Sequence, residues 1–263
     1  MQIKALIPKR LKNFLKRIYY FGSRYTCPFC RSRLRTFLPF GFPFPVLKEK
    51  KVAGAGLRPQ ARCPICFSLD RERLVYLYLQ NRTDFFKKHL KVLHVAPESR
   101  LAEIFLRRQD LDYLRADLHP QQGMVEMDLT DIRYPDNAFD VVVCCHVLEH
   151  IIDDGKAMRE LFRVLKPEGW AVLQVPISLS LKNTFEDPSI TTEAGREEAF
   201  GQADHVRIYA CEDYRNRLEK AGFEVDLFRW EEGASHFGYP GNKYGLNLNE
   251  TVFRARKPAR RVS

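Results

Sequence analysis

The chain has 263 residues, 45% of them hydrophobic and 29% charged, with a formal net charge of +10. That length carries a full α/β core and leaves room for a small extra module. No apolar run approaches the roughly twenty residues of a membrane span, and no signal-peptide core is evident, so a cytoplasmic protein is expected.

The charge is uneven: residues 1–70 hold 15 Lys/Arg against 2 Asp/Glu, and the remainder 28 against 31. The basic part suits RNA, an acidic membrane surface or an acidic partner, or is simply a solvated face. Within it, residues 1–25 form the first segment. The spacing of Leu11, Phe14, Leu15 and Ile18 in "PKRLKNFLKRIYYF" predicts a basic amphipathic helix, with Lys9, Lys12 and Lys16 mostly elsewhere and Pro8 in the first turn. Most such helices pack on their own protein; peripheral membrane contact is the lesser expectation.

Residues 26–68 contain "CPFC" and "CPIC", with 32 residues between the pairs. In a reducing compartment this spacing favours metal over disulfides, and Cys27, Cys30, Cys63 and Cys66 as thiolates would hold a structural Zn2+ with no open position. Cys144 and Cys145 lie in an apolar run and read as small hydrophobes. A zinc-ribbon-like module ends at Ser68. The main domain, 69–263, starts with a helix through "RERLVYLYLQN", capped by Ser68 or Asp70, with Leu74, Leu77 and Tyr78 on its apolar side.

From Lys91 strands and helices alternate. "KVLHVA", "LDYLRADL", "MVEMDL", "FDVVVCCHV" and "WAVLQVP" read as strands, with helices at "SRLAEIFLRR" and "KAMRELFRVL". A long irregular insert, Ile177 to Ala203, precedes a helix at "EDYRNRLEKAGF" and strands at "FEVDLFRW" and "NETVFRARK". Such alternation implies an α/β fold with a mostly parallel sheet covered on both faces.

The order and spacing of "LRADL", "VEMDLTDIRYPDNAFDVVVCCHVLEHI", "MRELFRVLKPEGWAVLQVP" and "HVRIYACEDYRNRLEKAGFEVD" resemble the class I S-adenosylmethionine-dependent methyltransferases. The resemblance covers roughly residues 70–256 and implies a seven-stranded Rossmann-like sheet, S-adenosylmethionine as cofactor and methyl transfer as the reaction. It places Asp117 on the ribose hydroxyls, and Asp128 with the backbone of Leu129 at the adenine; Asp128 could instead cap the turn before "TDI".

The family's first motif is an acid followed by glycines. Here "KVLHVAPESRL" contains no glycine: His94 stands at the acid, Ala96 and Pro97 follow, and Glu98 takes a glycine position. A rebuilt loop, in which Ala96 still permits close backbone approach and Glu98 meets the cofactor's ammonium, is favoured over a lost one in which Glu98 merely decorates the next helix. "CPICFSLDRERLVYLYL", "LHVAPE", "DLTDI", "HVLEHI", "TFEDPSI" and "HVRIY" further resemble bacterial methyltransferase-domain proteins with a four-cysteine motif ahead of a glycine-poor first motif.

The resemblance sets His146 beside the cofactor and makes His146 or His150 a candidate general base. His146, Glu149 and His150 would share a helical face and could hold a metal, as a similar stretch does in some ubiquinone-pathway O-methyltransferases. The insert would shape the acceptor pocket, with His205 and Arg207 at its opening; Arg207 suits an anionic acceptor or pairs with Glu186 or Asp187. The stretch lacks the N/D-P-P-Y/F sequence used on base amino groups. The expected enzyme methylates an O or N atom of a small-molecule or glycan acceptor. The alternatives are an RNA methyltransferase of the ribosomal RNA type and a non-catalytic zinc-ribbon adaptor with a degenerate fold.

Overall fold

The computed structural model describes residues 8–259. Its centre is a sheet of seven strands, β1 (Leu90–Val95), β2 (Leu111–Asp117), β3 (Val125–Glu126), β4 (Phe139–Cys145), β5 (Leu165–Gln174), β6 (Glu224–Arg229) and β7 (Thr251–Arg256). They lie in the order β3-β2-β1-β4-β5-β7-β6; only β7 runs antiparallel, to both its neighbours.

Seven helices accompany them: α1 (Lys9–Tyr19), α2 (Pro45–Glu49), α3 (Asp70–Arg82), α4 (Ser99–Leu106), α5 (Asp154–Val164), α6 (Glu193–Phe200) and α7 (Cys211–Lys220). The β-branched run of β4 explains its central place, since alternate side chains enter opposite cores. Val141, Val143 and Cys145 pack with α3 and α4 residues such as Leu74, Leu77, Tyr78 and Phe105. Val142 and Cys144 face Met158 and Leu161 of α5 and Tyr214 of α7. Each such buried apolar side chain stabilises the sheet by about 1.5–3 kcal/mol.

Several local readings are corrected. The third strand shrinks to two exposed residues at the sheet edge. Neither Ser68 nor Asp70 caps α3: the Glu72 carboxylate reaches back to accept from Leu69 N–H at 2.7 Å, while Asp70 is engaged by Arg58 and Ser68 by the cysteines. The insert is ordered. Its Ile177–Ser178 strand lies parallel to Arg207–Ala210 and antiparallel to Val52–Ala53 from the cysteine module, and α6 is capped by Thr192 and closed by left-handed Gly201.

Helix α1 also departs from expectation, being mounted apolar side out. Leu11, Phe14, Leu15 and Ile18 are exposed by 46–59%. What touches the module is its basic side, through Arg17 to Ser32 Oγ at 3.3 Å and Lys16 over the Phe67 ring. Residues 1–7 and 260–263, the outer ends of the first and last predicted segments, lie outside the described residues.

Candidate functional site

At the carboxyl end of β1 the glycine-free loop adopts the conformation glycine would. Ala96 has φ +44°, in the left-handed region, and its N–H donates to Ala116 O at 2.8 Å. A non-glycine residue held there costs on the order of 1–2 kcal/mol, so the surrounding fold imposes the turn.

His94 and Glu98 act together. His94 is fully buried in β1, and with the Tyr113 hydroxyl donating to Nδ1 (2.8 Å), its Nε2–H donates to Glu98 Oε2 at 3.0 Å. Glu98 is the residue before α4, yet its side chain makes no capping bond. The carboxylate instead turns back toward β1 and approaches the Cys145 thiol at the end of β4. An acid therefore stands between the ends of β1 and β4, delivered from the far side of the loop.

Asp117 closes β2. Its Oδ1 accepts from His119 N–H at 2.8 Å, and Oδ2 takes no hydrogen bond among the described residues. Asp117, Ala96, Pro97, Ser99, Arg115 and Met124 line part of a cavity of about 290 Å³. A carboxylate oxygen with no partner and a backbone turn that lets a ligand approach closely fit a ribose-bearing cofactor. Asp128 is exposed, and its Oδ1 already accepts from the N–H and hydroxyl of Thr130, the turn-capping arrangement, while Leu129 is buried beside it.

The ends of β4 and β5 carry a buried polar cluster. His146, left-handed at φ +58°, donates its backbone N–H to Gln174 O at 2.7 Å. Its Nδ1 stands 3.4 Å from Glu149 Oε1, outside hydrogen-bond geometry. His146 Nε2, both Glu149 carboxylate oxygens, Gln174 Oε1 and Arg71 Nε lack any protein hydrogen-bond partner. Gln174 Nε2 donates to Glu250 Oε1 at 2.6 Å.

Electrostatics follow from burial. Glu149 is pushed up to about 8 by desolvation, and Glu250 to about 7 by desolvation and then Asp70. His146 lies well below the ordinary imidazole value, through burial and then Arg71, and His205 falls to about 3 through burial and then His150. Both rings are therefore neutral at neutral pH. Gly54 of the cysteine module roofs the cluster: a side chain there would meet Glu250 Oε1 at 3.1 Å and His146 Cε1 at 3.3 Å.

The i, i+3, i+4 face drawn through His146, Glu149 and His150 does not form, because Leu148–His150 is one 3-10 turn and His146 lies before it in a left-handed bend. The set brought together is Glu149, His150 and His205, whose ligand-capable atoms lie within 4.8 Å of one another. Arg207 takes the second of its two readings. It pairs with Glu186 at 2.8 Å, not Asp187, and binds the carbonyls of Leu148, Ile151 and Ile152, tying the insert to the turn after β4. Arg71, Gln174, Glu250 and Gly54 escaped the sequence reading, since nothing in "RER", "LQV", "NET" or "AGA" distinguishes them from surface polar residues and loop glycines.

The four cysteines converge. Cys27 and Cys66 sulfurs are 3.6 Å apart, and Cys30 and Cys63 3.8 Å. Four thiolates about 2.3 Å from a central zinc are spaced by about 3.8 Å, so the set fits that ion. The two knuckles repeat one turn: Arg31 and Phe67 are left-handed, their N–H groups donating to Cys27 O and Cys63 O.

Residues 79–173 match the family model for the methyltransferase domain. A protein of Mycolicibacterium smegmatis named as a probable S-adenosylmethionine-dependent methyltransferase is 30% identical over 132 residues, which cover 48% of this chain and 47% of that one. The ubiquinone/menaquinone biosynthesis C-methyltransferase UbiE of Idiomarina loihiensis is 29% identical over 130 residues, 44% of this chain and 52% of its own. The match thus spans about half the length of these relatives. Among solved structures, the [4+2]-cyclase SpnF superposes with a TM-score of 0.48 at 17% identity, covering 72% of this chain and 82% of that one. Together with the strand order β3-β2-β1-β4-β5-β7-β6, the sequence matches support a class I S-adenosylmethionine-dependent methyltransferase domain built around residues 79–173.

Proposed function

We propose that the chain passes the methyl group of S-adenosylmethionine to an O or N atom of a small-molecule acceptor, held where β4 and β5 end beneath the cysteine module. The observation that carries this reading is the buried cluster of unpaired polar atoms on His146, Glu149, Gln174 and Arg71. Buried polar groups without partners are costly, and their convergence at strand ends suits a ligand that completes their hydrogen bonds. In the same reading Asp117 holds the ribose, Glu98 the ammonium and Leu129 the adenine edge. The bound cofactor supplies an electrophilic methyl group.

The chain's own residues orient the acceptor and take its proton. Neutral His146, with Nε2 free, is placed to accept one. A groove of about 740 Å³ lies alongside, lined by Phe42, Phe44, Leu47 and Leu57 with Lys48 and Lys51. Its lining favours an acceptor with an apolar body and an anionic group over a glycan. The cysteines hold a structural zinc.

A second reading, methylation at carbon, is favoured by the relatives named as C-methyltransferases. Calorimetry with S-adenosylmethionine and with its demethylated product tests the cofactor half, with Asp117→Ala expected to weaken binding by about 1–3 kcal/mol. Absence of binding would leave the adaptor reading standing. Methyl-label transfer into a small-molecule extract against total RNA tests the acceptor half, and NMR of the product assigns the atom. Label confined to RNA would reverse the acceptor class.

A further inference from the structure

Helix α1 is strongly amphipathic, yet it buries the wrong side. An isolated helix of eleven residues gains its stability by covering its apolar stripe. Here Leu11, Phe14, Leu15 and Ile18 stand in solvent, and the exposed rings of Tyr19 and Phe21 continue the apolar surface. Arg17 and Lys16 on the other side make the contacts to the module, and Tyr20 is packed against the module's core. The stripe is therefore presented outward by a helix anchored through its polar side and its end.

Charge identifies what covers it. The helix carries no acidic residue, and Arg10 and Lys12 flank the stripe on its two edges. Long cationic side chains there can lay their methylenes along the stripe and direct their charges past it. A second copy of the chain would set these basic edges against one another. A nucleic acid would satisfy the cations and leave the stripe in water. A bilayer with anionic headgroups satisfies both, because it offers an acyl boundary beneath a plane of negative charge.

We propose that α1 is a membrane-surface anchor that seats the exposed face of Leu11, Phe14, Leu15 and Ile18 in an anionic bilayer, with Arg10 and Lys12 at the headgroups. The protein lies on such a surface without crossing it; no helix among the described residues is long and apolar enough to span a membrane. The anchor holds whether the acceptor proves polar or apolar, since it stands on surface the methyltransferase site does not use.

Flotation of the full chain with vesicles tests it. Phosphatidylcholine vesicles containing phosphatidylglycerol should bind at least about tenfold more tightly than phosphatidylcholine alone, and added salt should weaken the difference. Phe14→Glu with Ile18→Glu, at positions exposed in the fold, should abolish flotation while thermal unfolding and bound metal stay as in wild type. Arg10→Glu with Lys12→Glu should remove the preference for phosphatidylglycerol. Failure of wild type to float, or undiminished binding by the Phe14/Ile18 variant, overturns the proposal. A wild-type dimer dissolved by that variant, without vesicle binding, would assign the stripe to a second copy instead.

Discussion

Ala96 shows what replaced the glycine loop. The turn stands with a methyl group where a hydrogen would be easier, and Glu98, hydrogen-bonded to His94, brings a carboxylate to the end of β1. Ala96→Gly should therefore raise stability by up to about 1 kcal/mol, by relieving the left-handed alanine, and leave cofactor affinity within a few-fold. Denaturant unfolding and calorimetry check this; a destabilised Ala96→Gly protein would mean the loop depends on the alanine itself. Glu149 makes a second test. In the folded chain its carboxyl keeps its proton up to about pH 8, whereas the unfolded chain releases it near the ordinary value of 4.5. The native state thus binds more protons through this window, and stability falls as pH rises. His146 and His205, lowered from 6.5, act in the opposite sense, but only below that value. Glu250 contributes up to about 7 in the same sense as Glu149. Between pH 6.5 and 8 wild type should lose stability at up to about 1.4 kcal/mol per pH unit from Glu149, and Glu149→Gln should flatten that slope. Superimposable profiles would show that Glu149 is already ionised in the fold.

Among elements, the cysteine knuckles make the sharpest demand. Rich in Gly, Pro and Arg, the module has around Cys27 and Cys63 only a small core of Tyr25, Leu34 and Phe37. So small a core needs a staple. Cys63→Ser should release the metal, from about one zinc per chain to none by elemental analysis, and open residues 27–66 to protease. A zinc-free wild type would refute the site. The alternating strands and helices were legible in the sequence because β-branched runs such as "FDVVVCC" and spaced apolar residues such as those of α5 each admit one regular structure. The facing of α1 was not, since periodicity reports a stripe and not which side is covered. Nor was the 3-10 turn at Leu148–His150, which replaced His146 by His205 in the Glu149 cluster. The Asp117 position was readable from the end of its strand; Arg71 and Glu250 meet only through tertiary structure.

In the whole molecule, one buried side chain joins three regions. Arg73 is fully buried, stacks on Phe37, and donates to the carbonyls of Ala61 and Ser68 in the module and of Tyr244 and Gly245 in the loop before β7. No carboxylate among the described residues hydrogen-bonds it; Asp70 and the sulfurs of Cys27, Cys63 and Cys66 act on it through their charge. A zinc held by four thiolates would carry a net negative charge, which a buried guanidinium would balance. The same module lends the strand Val52–Ala53 to Ile177–Ser178 of the insert, while the Asp117 cavity is lined entirely by residues beyond it. In the proposed reaction the two halves answer to different parts of the chain. In that reading, loosening the cysteine centre would shift the wall against which an acceptor is aligned and spare the walls around the cofactor, so occupancy by cofactor and rate of turnover would be separable quantities in this protein, and a measurement of one would be no proxy for the other.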